Sequence, residues 1–226
     1  MKKIIAGLVA AALAALCAAP ALAADDVLEA IQRKYAGLKS LAADYTRVTT
    51  TKAMEGVFQS ESRHTASGVL YYRYPDKLRL DQKRPEAESL ITNGRTVWWY
   101  IPAEKLVYRY QNVDVYGELK PLLDFLGGIE KLTQRFDVQI NPAGTDGQAD
   151  HRLELTALDE DWSGPEGIVA WFDPDDRTLT GFRLTTLTGE ITDFSLSNLE
   201  INPDVSPDLF GFTIPPDVKL VEEMPG

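Results

Sequence analysis

From residue 67 to residue 111 the chain reads as short apolar runs cut by turn residues. Runs 67–74, 77–82, 88–92, 95–101 and 105–111 are rich in Val, Ile, Leu, Thr and aromatics. That composition, bounded by Gly, Pro or Asn, predicts strands. Pro75-Asp76 and Asn93-Gly94 punctuate them, and the second pair suits a tight type I′ hairpin turn. Short connections between such runs make an antiparallel meander. A second β region follows at 135–141, 151–158, 167–173, 178–187 and 190–201, with turns at Asp173-Pro174-Asp175-Asp176 and Thr188-Gly189. A last extended run, 212–221, closes the chain.

Two stretches have helical character. Asp25 is placed to cap a helix reaching about Leu38, because Leu28, Ile31, Tyr35 and Leu38 recur at spacings of three and four. Residues 119–128 are short and very apolar, with Pro121 in a first turn and Gly127-Gly128 as a stop. The expected fold is therefore mainly β: a curved sheet of about ten to twelve strands, an N-terminal helix and one short helical insertion. Open sheets of that many strands curl or close, which creates a concave face.

The strand containing Val97-Trp98-Trp99-Tyr100 sharpens this picture. Successive side chains point to opposite faces, so Val97 and Trp99 share one face while Trp98 and Tyr100 share the other. Both faces are apolar. A concave side that is covered by helices, or that binds something oily, accounts for one of them.

The N-terminus changes the expected location. Met1-Lys2-Lys3, an apolar run over 4–16 and Ala21-Leu22-Ala23 form the three parts of a secretory signal. The run is shorter than the roughly 20 apolar residues of a membrane span. We expect residues 1–23 to be removed and 24–226 to form one domain, the alternative being a retained anchor. The single cysteine, Cys17, lies in this leader behind Leu16, which fits a lipid-attachment box poorly. A mature chain without cysteine has no disulfide and no thiol nucleophile. The chain carries 23 basic and 34 acidic residues, a net charge of -11. Such a surface repels nucleic acid and anionic lipid headgroups.

Catalytic signatures are sparse. His64 and His151 lie in β-like runs without a metal-type partner at short spacing. No G-x-S-x-G, H-E-x-x-H or P-loop pattern occurs. Asp159-Glu160-Asp161 and Asp173-x-Asp175-Asp176 are acidic clusters. The second has the elements of a calcium site but not the EF-hand order, and a solvated hairpin tip is the other reading. Paired catalytic carboxylates are not singled out. Basic and aromatic residues interleave over 71–79, as in single-strand nucleic-acid binders, against the overall negative charge. No cofactor, no metal and no enzymatic activity are expected.

Four stretches, in order and over most of the mature chain, resemble the periplasmic outer-membrane lipoprotein carrier proteins, the LolA family. Leu41-Ala42-Ala43-Asp44-Tyr45-Thr46-Arg47 is similar to the family's aromatic-x-Gln strand. Residues 68–80, with Gly68-Val69-Leu70 and Tyr74-Pro75, resemble its G-x-L and R-P strand pair. Residues 92–100 resemble its D-G-x-x-L-W-x-Y hairpin, and Phe210-Gly211-Phe212 through Val218 its closing F-x-F-x-x-P-x-G-V. Two positions depart. Tyr74 stands where the family has an arginine that hydrogen-bonds the lid, and Arg47 stands where it has glutamine.

The resemblance implies an unclosed β-barrel whose apolar concave face is covered by helices. It implies a carrier that takes acylated lipoproteins from an inner-membrane ABC transporter, shields their acyl chains and delivers them to an outer-membrane receptor. The expected protein is a monomeric periplasmic one. Cavity-wall, lipid-binding candidates are Leu70, Tyr72, Tyr74, Leu78, Leu80, Leu90, Val97 and Trp99; lid candidates are Leu122, Leu123, Phe125 and Leu126. Each of these also fits ordinary core packing. The alternatives are a periplasmic lipid or glycolipid binder of the same fold, a regulator sensing mislocalised lipoproteins, and a secreted hydrolase with scattered carboxylates.

Overall fold

A computed structural model describes residues 24–55, 58–111, 119–144, 147, 149–158 and 165–223. The leader 1–23, with Cys17, and the cluster at 159–161 lie outside the described residues. No helix among the described residues is long and apolar enough to cross a membrane.

The fold is one sheet of 12 strands in the order β12-β6-β5-β4-β3-β2-β1-β11-β10-β9-β8-β7. It is curved and unclosed, since β12 and β7 each have a single neighbour. Its centre is a long hairpin of β1 (Ser40–Glu55) and β2 (Phe58–Arg73), paired along its whole length. One wing meanders through β3 (Lys77–Arg84), β4 (Glu88–Thr92), β5 (Val97–Ile101) and β6 (Leu106–Tyr110). The other runs through β7 (Phe136–Asn141), β8 (His151–Ala157), β9 (Gly167–Phe172), β10 (Leu179–Thr185) and β11 (Ile191–Ile201) back to β1.

Alternation builds each wing. In β1, Leu41, Ala43 and Tyr45 are buried while Asp44 and Thr46 are exposed, the pattern of a strand with one covered face. Three helical pieces cover that face: α1 (Ala24–Lys34), α2 (Leu119–Gly128) and the short α3 (Leu132–Arg135). Val27, Ile31 and Tyr35 of the α1 region, Leu122, Phe125 and Leu126 of α2, and Leu132 of α3 join the sheet residues in one apolar cluster.

Several expectations shift. α1 begins at Ala24 with Asp25 and Asp26 in its first turn, and ends at Lys34. Leu38 is still buried, but in the turn after it. The Asn93-Gly94 turn is not a two-residue hairpin, because the ladder ends at Thr92↔Val97 and leaves four residues between. Gly94 takes φ +91°, and Asn93 Oδ1 accepts the N–H groups of Arg95 and Thr96 at 3.0 and 2.9 Å. The side chain supplements a long backbone bond, in which the Asn93 N–H donates to Thr96 O at 3.4 Å. The closing strand is β12 (Lys219–Glu223), which pairs with β6 in parallel, whereas the other paired strands among the described residues run antiparallel.

Residues 202–218 connect β11 to β12 across the convex side. Arg73 Nη1 donates to Val205 O at 2.9 Å, and Arg79 Nη1 to Leu209 O at 3.0 Å. Phe212 then lies 6.4 Å from the Trp98 ring and 5.3 Å from Tyr100. The second apolar face of that strand is thus covered by the C-terminal segment.

Candidate functional site

Register places the candidate wall. Leu70, Leu80, Leu90, Trp99 and Tyr108 stand opposite one another across five strands, and so do Tyr72, Leu78, Thr92, Val97 and Tyr110. Directly opposed residues share a face. Leu70, Tyr72, Leu78, Leu80 and Val97 are buried there, while Leu90 and Trp99 are half-buried. Trp99 stacks on Tyr108 at 5.4 Å.

Tyr74 is the exception. β2 ends at Arg73, and Tyr74 lies in the following turn, 55% exposed, with its N–H on Lys39 O at 2.9 Å. It does not line the concave face, and its hydroxyl bonds no carbonyl of α2 among the described residues. Its neighbour Arg73 points to the opposite face, as strand alternation requires, and holds the C-terminal segment.

The lid candidates Leu122, Leu123, Phe125 and Leu126 are all buried against the concave face. α2 touches the β10 wing and the central hairpin. Phe125 meets Phe182 of β10 at 5.8 Å, and Gly127 rests on the Tyr72 hydroxyl of β2. Beyond α2, Glu130 Oε2 accepts the Gly37 N–H at 2.9 Å, which ties this segment to the end of α1. That bond holds the Glu130 carboxyl below its usual range. Asp124 pairs with Arg135 at 3.2 Å.

The opposite wing contributes wall that the sequence did not single out. Phe182 stacks on Phe194 at 4.6 Å, and Phe194 meets Tyr45 at 5.8 Å. Leu153, Leu155, Ile168 and Leu184 complete it. α1 is anchored here, since Tyr35 packs on Phe172 at 6.1 Å and its hydroxyl accepts the Leu179 N–H at 2.8 Å. Burial pushes the Tyr35 phenol up to about 12.

At one end the concave face turns polar. Tyr45, Arg47, Leu80, Gln82, Glu88, Leu90 and Trp99 line a pocket of about 70 Å³. Arg47 Nη2 donates to Gln82 Oε1 at 3.2 Å, and Trp99 Nε1 to Glu88 Oε2 at 3.0 Å. Burial pushes the Tyr45 phenol up to about 12, against the opposing pull of Arg47. Ligand pockets run roughly 300–1,000 Å³, so this pocket alone holds no acyl chain.

The acidic hairpin tip is satisfied by its own turn and by Lys34, whose Nζ lies 3.4 Å from Asp176 Oδ2. Asp173 Oδ1 accepts the N–H groups of Asp175 and Asp176 at 2.8 and 3.0 Å, and Asp176 bonds Thr178. Among the described residues no group of three His, Cys, Asp or Glu side chains is arranged to hold a metal.

A twelve-strand unclosed sheet with an apolar face under a short helix meets its family here. The model of the outer membrane lipoprotein carrier protein LolA matches residues 36–213. The chain belongs to the LolA family. An outer-membrane lipoprotein carrier protein of Idiomarina loihiensis is 26% identical over 198 residues, 86% of this chain and 87% of that one. One of Chromobacterium violaceum is 27% identical over 221 residues, 98% of each. Among solved structures, a LolA superfamily protein of Nitrosomonas europaea is similar at TM-score 0.42 and 12% identity, over 85% of this chain and 99% of that chain. The match to the LolA model begins after α1 and ends at Thr213, so it spans the hairpin, both wings and α2.

Proposed function

We propose that this LolA family member is a periplasmic carrier that shields the acyl chains of lipoproteins on their way to the outer membrane. The observation that carries the reading is the α2 lid. Its buried leucines and Phe125 occupy the concave face, and as a helix it shares no ladder with the sheet. Leu70, Tyr72, Leu78, Leu80, Leu90, Val97 and Trp99 are the proposed lipid-contacting wall once it moves. The relatives named as outer-membrane lipoprotein carrier proteins supply the cargo class.

The energetics suit a reversible exchange. Exposing four large apolar side chains to water costs about 1.5–3 kcal/mol each, or about 6–12 kcal/mol in all. Burying acyl chain returns roughly 0.8 kcal/mol per methylene. About ten methylenes therefore offset the lid's departure. Membrane, carrier and receptor are each apolar, so handover between them is close to balanced and needs no covalent step. The proposed partners are an inner-membrane ABC lipoprotein-releasing complex, which loads the carrier, and an outer-membrane lipoprotein receptor, which unloads it. The carrier acts as a monomer.

The test is release of a labelled lipoprotein from inner-membrane vesicles that contain the releasing complex and ATP. Adding the protein should bring the lipoprotein into the soluble fraction as a one-to-one complex. Vesicles that retain all of it, with a known carrier as positive control, would overturn the reading.

A further inference from the structure

The pocket at the polar end of the concave face holds two charges without ionic partners. Arg47 has a single hydrogen bond, to a neutral amide, and no carboxylate pairs with it among the described residues. Glu88 accepts only the Trp99 indole N–H, and no cation pairs with it among the described residues. Both side chains are half-buried and line the same pocket. They do not bridge to each other. Gln82 stands between them: Arg47 bonds its amide, and its backbone pairs directly with Glu88. The nearby Asp81 takes no part, because it lies on the other face with Arg79 and Ser89.

A guanidinium and a carboxylate separated across one mouth, each partly desolvated, define the ligand's charge pattern. A purely anionic head meets repulsion from Glu88, and a purely cationic head meets it from Arg47. A head with a negative group toward Arg47 and a positive group toward Glu88 satisfies both. The floor of the pocket is Leu80, Leu90 and Trp99, continuous with the apolar wall through Leu70 and Val97. The ligand's head therefore sits where its tail can enter the concave face.

We propose that this mouth binds the head of a zwitterionic glycerophospholipid, with Arg47 on the phosphate and Glu88 on the ammonium. The proposal rests on the acyl-carrying reading of the concave face and adds a second cargo class to it. The polar head selects the ligand, and the lid admits its tails.

The test is calorimetric titration of the full protein, purified from the periplasm, with three dioctanoyl probes: phosphatidylethanolamine, phosphatidylglycerol and dioctanoylglycerol. The protein should bind the ethanolamine lipid roughly tenfold more tightly than the glycerol lipid, as a charge-assisted pair supplies. Arg47→Gln should weaken both phospholipids roughly tenfold and dioctanoylglycerol, which has no phosphate, less than twofold. Glu88→Gln keeps an acceptor for the Trp99 indole but no charge, and should erase the preference between the two phospholipids. Equal binding of the two phospholipids by the unaltered protein overturns the proposal. So does an Arg47→Gln variant with undiminished ethanolamine-lipid affinity. In both cases dioctanoylglycerol still binds and the carrier reading stands. If no probe binds and no lipoprotein is released from vesicles, the carrier reading itself fails, and the headgroup site with it.

Discussion

Gly127 lies so close to Tyr72 that a Cβ on it would fall 2.7 Å from the tyrosine oxygen. Tyr72 has little freedom to yield. It is fully buried, and its hydroxyl donates to Pro75 O at 3.0 Å. The last turn of α2 therefore seats only because residue 127 has no side chain. Gly127→Ala is expected to lift α2 from β2 at a cost of about 1–3 kcal/mol, the usual penalty of overpacking. Urea unfolding followed by circular dichroism measures the cost. Binding of a hydrophobic dye, expected to rise, shows that the change uncovers the concave face.

Leu123 supplies a sharper perturbation of the same helix. It is buried against the concave face, where a carboxylate has no partner and would cost several kcal/mol. α2 shares no ladder with the sheet, so the cheaper outcome is expulsion of the helix. Leu123→Glu should leave the strand signal in circular dichroism intact and abolish lipoprotein release from vesicles. A variant that releases cargo normally would remove α2 from the lid role.

Much of this was legible in the sequence because strand alternation is a strong code. Val97 and Trp99 separate from Trp98 and Tyr100 by parity alone, and register carries that parity across to Leu80 and Leu70. Tyr74 failed because β2 ends one residue earlier, and parity means nothing past a strand's end. The outer half of the β1–β2 hairpin leaves no such signal. Thr49-Thr50-Thr51 and the residues after it offer no apolar alternation, and pairing alone holds the strand there. The mouth was out of reach for a different reason. Arg47, Gln82 and Glu88 come from three strands, and only the register of the folded sheet brings them together. β12 is short and polar, and its parallel partner lies more than a hundred residues away.

The convex side makes its own prediction. Phe212 covers Trp98 and Tyr100 at ring distances of 6.4 and 5.3 Å. It is half-buried, so Phe212→Ala should cost about 2 kcal/mol, below the full-burial range. Tryptophan emission should shift to longer wavelength as Trp98 meets water. Lipoprotein release should persist, because the residue lies across the sheet from the concave face. Loss of release at unchanged stability would place the C-terminal segment in the transport cycle instead.

His151 sets a pH dependence. It is buried at the start of β8, and its Nδ1 accepts the Ala143 N–H at 2.9 Å. Burial, and then the Arg177 guanidinium nearby, push its pKa below the ordinary 6.5; the Pro174 carbonyl, Asp150 and Asp173 oppose them without prevailing. Protonation also removes the lone pair that Ala143 uses. The unfolded chain therefore takes up the proton first as pH falls. The stability associated with neutral His151 is fully present above pH 6.5 and is lost as pH drops through the lower folded value. The thermal midpoint should accordingly be lower at mildly acidic pH than at pH near 8. His151→Asn, which does not titrate, should flatten that part of the profile. A profile in which the His151 variant keeps the full slope would assign the acid sensitivity to the carboxylates.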